Sequence, residues 1–205
     1  MKISEQPRLN RALNEYVTSK PEERRTIEER MWNTFGTKQC VVVIDMANFS
    51  LVTHKHGIIY YLSLIHTMQK TVEHKVSAYD GVLIQFLADN AFFIIDDVNR
   101  AVECLMDINQ TLQKLNQSSP QMWDVEICAG VCFGEFLNVN GNDIFGEPVN
   151  IASRLGEDLA GPWQVLLSSH AMRKLSDSQK ESYPFKEVSY SEIDDPVFSL
   201  DCKPT

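Results

Sequence analysis

Two aspartates stand where a carboxylate is unfavourable unless something offsets its charge. Asp45 directly follows the aliphatic run 41–44, and Asp89 lies in the short connection between two further apolar runs. A pair of divalent metal ions about 3.5–4 Å apart would offset such charges and would also neutralise phosphate oxygens. Aspartates that only stabilise turns are a common alternative. The local pattern leaves both interpretations open.

A second pair of polar residues has helical spacing. Asn150 and Arg154 are four residues apart in a segment with a helical pattern, so their side chains share one face. An amide beside a guanidinium suits a ribose and a transferring phosphate group, whereas a solvated surface pair is the alternative. The turn that follows Asp45 offers backbone amides to phosphate oxygens. We expect these phosphate contacts at Ala47, Asn48, Phe49 and Ser50.

The elements that must position these residues follow from the hydrophobic periodicity. We predict strand 39–46, helix 57–79, strands 82–87 and 91–95, helix 99–115, strands 123–133 and 135–139, helix 148–159, strand 165–168 and a final hairpin within 182–202. This order predicts an α+β fold: a ferredoxin-like βαββαβ core with additional C-terminal strands and an N-terminal helical extension. The first and third strands are neighbours in such a sheet, so Asp45 and Asp89 can face each other at one edge.

Finer features of the elements are also predicted. The helical extension covers residues 1–36, with a break at Pro21, and the main domain covers residues 37–205. Gly130 and Gly134 predict a strand bulge. The stripe expected to be buried in the long helix is Ile58, Tyr61 or Leu62, Ile65, Met68, Val72 and Val76.

The composition and charge of the chain disfavour some classes of binding partner. The chain has 205 residues, 43% of them hydrophobic, and a formal net charge of −9, which disfavours nucleic acid polymers as partners. No run approaches the roughly 18 apolar residues of a membrane span, and the polar N-terminus lacks a signal-peptide core. We therefore expect no membrane insertion and a cytoplasmic location. The five cysteines lack C-x-x-C spacing, which predicts reduced, mostly buried thiols.

Three segments, taken in order, resemble motifs of the class III adenylate/guanylate cyclase catalytic domain. They read Asp45-Met46-Ala47-Asn48-Phe49-Ser50, Gln85-Phe86-Leu87-Ala88-Asp89-Asn90 and Val149-Asn150-Ile151-Ala152-Ser153-Arg154. The resemblance extends over residues 39–175, so the domain 37–205 is identified as a class III cyclase-like catalytic domain.

The resemblance implies an activity and roles for individual residues. The chain would convert a nucleoside triphosphate, with ATP favoured, into a 3′,5′-cyclic nucleotide and pyrophosphate. Asp45 and Asp89 would bind two Mg²⁺ or Mn²⁺ ions with help from the carbonyl of Met46. Asn150 would orient the ribose, and Arg154 would stabilise charge that develops on the α-phosphate.

The family's active sites lie between two chains. Its metal-binding pair and its Asn/Arg pair meet only across a head-to-tail dimer, which implies a homodimer with shared active sites. Tyr60 and Leu64, outside the predicted buried stripe, are candidates for the interface. Base recognition would fall to Gln85 and Asp143.

Departures from the family pattern keep alternatives open. Gln85 stands where adenylate cyclases usually have Lys and guanylate cyclases Glu, and its amide can donate or accept. Asp143 favours adenine because it accepts a hydrogen bond from an exocyclic amine. GTP, or a pyrimidine triphosphate (UTP or CTP) as in bacterial cyclic-pyrimidine signalling, is the alternative substrate.

Two other departures favour a different class of function. The family's triphosphate-binding lysine has no counterpart within 187–192, and Cys128 replaces a common arginine. These changes suit a catalytically inactive, cyclase-like regulatory or nucleotide-binding dimer, whereas the intact aspartates and the Asn/Arg pair argue against it. A diguanylate cyclase or polymerase-palm relative is disfavoured, because the Gly-Gly-Asp/Glu-Glu-Phe turn of the former is absent.

Overall fold

The N-terminal residues form two helices that pack against each other. The computed structural model describes residues 6–47, 57–120, 124–191 and 193–203, and in it α1 spans Gln6–Thr18 and α2 spans Pro21–Phe35. Pro21 occupies the first turn of α2, where its missing N–H has no intrahelical partner to lose. Leu9 of α1 and Phe35 of α2 are buried in one cluster with Val139, so both helices pack against the sheet.

The central elements confirm the predicted βαββαβ order. They are β1 (Gly36–Met46), α3 (Ile58–Ala78), β2 (Val82–Leu87), β3 (Asn90–Ile95), α4 (Val98–Ser118) and β4 (Ile127–Val139). The strands lie in the order β2-β3-β1-β4, and each neighbouring pair is antiparallel. β1 and β3 are therefore neighbours, as the ferredoxin-like arrangement requires.

The C-terminal third extends this sheet. Its elements are β5 (Asp143–Phe145), α5 (Glu147–Ser153), a π-helical turn (Arg154–Leu159), β6 (Gln164–Ser168), α6 (Ser169–Lys174), α7 (Asp177–Ser182), β7 (Lys186–Tyr190) and β8 (Ile193–Asp201). β6 pairs with β4 in parallel, and β8 and β7 follow in antiparallel pairs. The predicted final hairpin is thus confirmed as β7–β8.

Side chains of β1 alternate between two hydrophobic layers, as the pleat of a strand requires. Cys40, Val42 and Ile44 pack in the larger cluster with the buried faces of α3 and α4. Val41 and Val43 lie on the opposite face, in the cluster that includes Ala152 of α5. Asp45 continues the odd-numbered series, so its side chain lies on the α5 side of the sheet.

β4 is one continuous strand, which corrects the predicted pair of strands at 123–133 and 135–139. It pairs with β1 without a register shift, so the bulge predicted at Gly130 and Gly134 is wrong. These glycines instead leave room for α5 and the turn after it. A Cβ on Gly130 would lie 2.5 Å from the nitrogen of Gly156, and one on Gly134 would lie 2.6 Å from Cγ of Pro148.

The buried face of α3 differs from the prediction in its first turns. Ile58 and Leu62 are 55% and 49% exposed, whereas Leu64 is only 4% exposed. The interface role predicted for Leu64 is therefore wrong. The buried face of the helix is centred on Ile65 and Met68, and Leu64 lies on that face. Tyr60 also packs, partly buried, against the core.

The cysteines agree with the prediction of buried thiols. In the described part of the chain all five are free and buried: Cys40, Cys104, Cys128, Cys132 and Cys202. Among the same residues, no helix combines the length and the apolar character that a membrane crossing requires.

Candidate active site

Asp45 and Asp89 lie together at one end of the sheet. The register of β1 and β3 pairs Ile44 with Ala91, so Asp45 reaches the level of the β2–β3 turn that carries Asp89. Burial, and then the negative charge of Asp89, raise the pKa of Asp45 from its ordinary 3.8 to about 7. The nearby backbone N–H of Met46 opposes part of this rise in pKa. The structure thus brings the two predicted carboxylates together.

The turn that carries Asp89 is strained, and α3 holds it. Ala88 has a φ of 53°, in the left-handed region that disfavours a residue with a Cβ by roughly 1 kcal/mol. Gln69 of α3 donates from Nε2 to the carbonyl oxygen of Ala88 at 3.3 Å. Burial, and then the neighbouring Asp89 carboxylate, raise the pKa of Tyr61, so its hydroxyl stays protonated and can donate to that carboxylate. The sequence does not reveal Tyr61 as a site residue, because its position in the stripe predicts only burial.

Glu157 is a third carboxylate at this end of the sheet, and it was also missed. Its negative charge is the next contribution, after that of Asp89, to the raised pKa of Asp45. Although its side chain is partly in solvent, desolvation raises the pKa of Glu157, and the polar side chains of Asn90 and Ser153 nearby oppose that rise. Its place in a π-helical turn explains the omission, since helical periodicity does not reveal such a turn.

The donor set fits a hard divalent cation. Carboxylate oxygens are preferred ligands of Mg²⁺ and Mn²⁺, and a cation would relieve the repulsion between Asp45 and Asp89. Within the described residues, no three His, Cys, Asp or Glu side chains are grouped so that they alone could hold an ion. Mg²⁺ commonly binds one or two carboxylates and takes its other ligands from water and substrate phosphates. Two aspartates are therefore sufficient for a shared metal and substrate site.

Asn150 and Arg154 lie on the outer surface. Asn150 belongs to α5, Arg154 begins the π-helical turn, and both side chains are exposed. The side chains whose charges shift the pKa of Asp45 are all acidic, and Arg154 is not among them. In one protomer, therefore, the arginine does not offset the charge of Asp45.

Gln85 and Asp143 lie on two strands that contact each other without pairing: β2 pairs with β3, and β5 pairs with β4. The pairing of β2 with β3 shifts register between Leu83 and Gln85, an irregularity that can redirect a side chain, and Gln85 is exposed. Asp143 begins β5, and its Oδ1 accepts the N–H of Ile144 at 3.0 Å. β5 packs against β2. The two predicted base-recognition positions are consequently on adjacent parts of one protomer.

The predicted phosphate-binding turn is described only at its first residue. The N–H of Ala47 donates to the carbonyl oxygen of Glu126 at 3.0 Å. The prediction that this amide is free to bind a phosphate oxygen is therefore wrong. Asn48, Phe49 and Ser50 lie outside the described residues.

Cys128 is the direct neighbour of Asp45 on β4. Burial, followed by the charge of Asp45, raises the pKa of the Cys128 thiol to about 12. The thiol is thus neutral near pH 7 and supplies no positive charge beside Asp45. This residue therefore leaves the charge of the aspartates uncompensated.

Comparison with known proteins gives distant relatives by sequence. No family model matches the chain. An uncharacterised protein of Mycobacterium tuberculosis is 26% identical over 133 residues, which cover 65% of this chain and 33% of that protein. An adenylate cyclase of Streptomyces coelicolor is 28% identical over 111 residues, which cover 54% of this chain and 27% of that protein. The chain thus matches about a third or less of these curated relatives' length.

Solved structures share the fold. The catalytic core of a rhodopsin-guanylyl cyclase with converted specificity, in complex with ATPαS, matches with a TM-score of 0.68 and 13% identity over 82% of this chain and 97% of that chain. An adenylate/guanylate cyclase/hydrolase from Silicibacter pomeroyi matches with a TM-score of 0.65 and 20% identity over 81% of this chain and 97% of that chain. The chain has the α+β fold of class III cyclase catalytic domains, the family that its motifs resemble.

Proposed function

We propose that this protein is a nucleotide cyclase that converts a nucleoside triphosphate into a 3′,5′-cyclic nucleotide and pyrophosphate, with two metal ions at a homodimer interface. The proposal rests chiefly on one observation. In a cyclase-type fold, Asp45 and Asp89 meet closely enough for their repulsion, added to burial, to raise the pKa of Asp45 to about 7. The sequence similarity to an adenylate cyclase supports the same activity.

The chain's own groups would hold and orient the metal ligands. Asp45, Asp89 and the carbonyl of Met46 would bind Mg²⁺ or Mn²⁺. When bound, such ions favour ionisation of the ribose 3′-hydroxyl and neutralise charge on the phosphates. The Tyr61 hydroxyl near Asp89 and the backbone N–H of Met46 near Asp45 are donors that could orient the two carboxylates.

Asn150 and Arg154 would act from the partner protomer. The Asn150 amide would orient the ribose, and the Arg154 guanidinium would stabilise negative charge as it develops on the α-phosphate. Their exposure, and the absence of Arg154 from the groups that shift the pKa of Asp45, suit a head-to-tail homodimer. Each dimer would then contain two equivalent active sites.

ATP is the substrate that the base-recognition residues favour. Asp143 can accept a hydrogen bond from the exocyclic amine of adenine, and the Gln85 amide can donate to a ring nitrogen. Because an amide can also be turned to present its oxygen, GTP, UTP and CTP stay as alternative substrates.

A second candidate function is a catalytically inactive dimer that binds a nucleotide. It is favoured by the neutral Cys128 beside Asp45 and by the lack of a lysine within 187–192. The intact Asp45, Asp89, Asn150 and Arg154 favour the enzyme.

One assay separates these proposals. The protein is incubated with each of the four common ribonucleoside triphosphates and Mn²⁺, and the products are identified by mass spectrometry. We expect cyclic AMP as the main product, and a loss of at least about 100-fold in Asp89→Ala because the metal site is broken. If a folded, dimeric chain forms no cyclic product from any triphosphate, the enzyme proposal is wrong.

Mixed dimers test the shared site. Asp45→Ala and Arg154→Ala chains are each expected to be inactive, but in a heterodimer one of the two sites keeps an intact metal half and an intact arginine half. Equal mixing should restore about a quarter of wild-type activity, since about half of the dimers are mixed and each has one working site. Failure to recover activity, with heterodimers present, would contradict the head-to-tail arrangement.

A further inference from the structure

The connection between β2 and β3 consists of only two residues. Leu87 pairs with Asn90, so Ala88 and Asp89 form the whole turn. Of these two, Ala88 has a positive φ, at 53°, and Asp89 does not. A positive φ at the first central residue alone is the pattern of a type II′ turn, in which glycine is the usual residue there. Ala88 therefore adopts a conformation that its Cβ disfavours.

Hydrophobic packing contributes little to holding this turn. Leu87 is 61% exposed, and the side chain of Ala88 is exposed as well. Because the strand pairing ends at Leu87 and Asn90, the two central residues lie beyond the paired part of the hairpin. A strained backbone conformation persists only where surrounding groups hold it. The turn therefore requires a contact from outside the hairpin.

Gln69 of α3 supplies such a contact. Its Nε2 donates to the carbonyl oxygen of Ala88 at 3.3 Å. The Gln69 side chain is partly buried, and its neighbours on the helix, Met68 and Val72, are fully buried in the main hydrophobic cluster. Close packing of this kind fixes the position of α3 relative to the sheet. The donor to the turn thus comes from a rigid element.

The carbonyl group that Gln69 binds belongs to the peptide unit leading into Asp89. A peptide unit is planar, so a hydrogen bond that restrains its oxygen also restrains the nitrogen and the Cα of Asp89. The side chain of Asp89 starts from that Cα, at the same end of the sheet as Asp45. Gln69 can therefore act on the direction of the Asp89 carboxylate through the backbone.

We propose that Gln69 is a positioning residue, whose hydrogen bond offsets the strain at Ala88 and holds Asp89 in the direction that metal binding requires. The inference rests on the proposed function, in which Asp89 is a metal ligand. Gln69 lies in α3, outside the three segments that resemble the cyclase motifs. The strain at Ala88 and the hydrogen bond from Gln69 act on the same peptide unit, so their effects on the site are coupled.

Gln69→Met removes the donor but keeps a side chain of similar length. Mn²⁺ binding, measured by electron paramagnetic resonance with a non-cyclisable ATP analogue present, should weaken by about 10-fold, as loss of a residue that orients a metal ligand typically does. Lys70→Met is the matched control, because Lys70 is exposed and forms no hydrogen bond or ion pair within the described residues. It should bind Mn²⁺ within about two-fold of wild type. Equal losses in both variants would contradict the proposal.

Ala88→Gly separates positioning from general stabilisation. Glycine adopts a positive φ without the strain, so this variant should melt about 2–4 °C higher than wild type. In the Ala88→Gly background, Gln69→Met should weaken Mn²⁺ binding by less than about three-fold, because the strain that the hydrogen bond offsets has been removed. The same 10-fold loss in both backgrounds, or an Ala88→Gly variant that melts no higher than wild type, would refute the proposal.

Gln69→Asn tests the reach of the side chain. The amide remains, but the side chain is one methylene shorter, so Nδ2 should no longer come within hydrogen-bonding distance of the Ala88 carbonyl oxygen. We expect Mn²⁺ binding to weaken as much as it does in Gln69→Met. Binding as tight as that of wild type would show that the hydrogen bond from Gln69 is not the cause.

Hydrogen exchange gives a readout that needs neither metal nor turnover. Gln69→Met should accelerate amide exchange in segment 87–91 by about 10-fold, whereas Lys70→Met, and Gln69→Met combined with Ala88→Gly, should leave it near wild type. Unchanged exchange in Gln69→Met would overturn the proposal even if the chain proves to be inactive. Conversely, accelerated exchange and its rescue in a chain that forms no cyclic product would refute the proposed function alone.

Discussion

Asp45 carries a charge that the protein around it does not neutralise. Its cross-strand neighbour Cys128 is neutral, and the side-chain charges that act on it come from Asp89, Glu157 and Asp158. The cation that would neutralise this charge must therefore come from solution. At the scale of single residues, this uncompensated charge destabilises the metal-free protein, and a bound divalent ion would relieve that destabilisation.

This destabilisation predicts that Asp45→Asn increases the free energy of unfolding, by an amount that depends on pH. The folded protein raises the pKa of Asp45 from 3.8 to about 7, so the free energy of unfolding falls as pH rises through this window, and the loss is complete above pH 7. The variant should be more stable than wild type by about 2–4 kcal/mol at pH 8, and equally stable near pH 4. Urea unfolding at both pH values measures the difference. A metal-free wild type that is the more stable protein at pH 8 would contradict this prediction.

Tyr61→Phe removes a single hydroxyl from a residue that is only 2% exposed. The ring keeps its packing, but Asp89 loses the neighbouring hydroxyl that could orient it, so Mn²⁺ binding should weaken by about 10-fold. Calorimetric titration of Mn²⁺ measures the change, and Tyr60→Phe is the matched control on the same helix. Equal effects from the two variants would mean that the hydroxyl of Tyr61 has no special relation to Asp89.

At the scale of elements, the contact between the π-helical turn and the sheet sets the geometry of the site. Gly156 lies against the backbone of β1 and β4. The helix that precedes the π-helical turn carries Asn150, and the turn itself begins with Arg154. The distance between the sheet and this helix is therefore fixed by backbone atoms, which cannot adapt as side chains do.

Gly156→Ala is expected to force these backbones apart. The added Cβ would lie 2.7 Å from the carbonyl oxygen of Val43, so the free energy of unfolding should fall by about 1–3 kcal/mol. Chemical denaturation measures the loss. Gly161→Ala is the control, because its Cβ would meet only Oε1 of Gln164 at 3.8 Å. A loss at Gly161 as large as that at Gly156 would show that steric contact is not the cause.

The sequence is informative about elements that have a regular period, and less so about irregular ones. The βαββαβ order follows from apolar runs and turns, and it is enough to bring Asp45 and Asp89 to one edge. Glu157 and the Gly130–Gly156 contact depend on a π-helical turn, which has no hydrophobic signature. The burial of Leu64 was missed because the predicted stripe on α3 was centred too near Ile58 and Leu62.

At the scale of the whole molecule, the beginning of α3 offers apolar surface. Ile58, Ile59 and Leu62 are 55%, 74% and 49% exposed, on the helix that also carries Tyr61. Side chains of this kind, clustered on one surface, are typical of contacts between proteins. They therefore replace Leu64 as candidates for the homodimer interface.

Ile59→Glu tests this surface. The side chain is exposed in the protomer, so the charge should leave the free energy of unfolding within about 0.5 kcal/mol but weaken dimerisation by at least about 10-fold. Analytical ultracentrifugation measures the dissociation constant. Val17→Glu on α1 is the matched control, since Val17 is also 74% exposed. If Val17→Glu dissociates the dimer and Ile59→Glu does not, the interface lies on the N-terminal helices instead.

The long pairing of β1 with β4 determines when the site can form during synthesis. Gly36 at the start of β1 pairs with Leu137 near the end of β4, so the strand that carries Asp45 lacks one neighbour until most of the domain has left the ribosome. Contacts between such distant segments make folding slow. Until β4 arrives, the apolar edge of β1 is open to other chains. We expect the nascent chain to be most prone to aggregation during this interval.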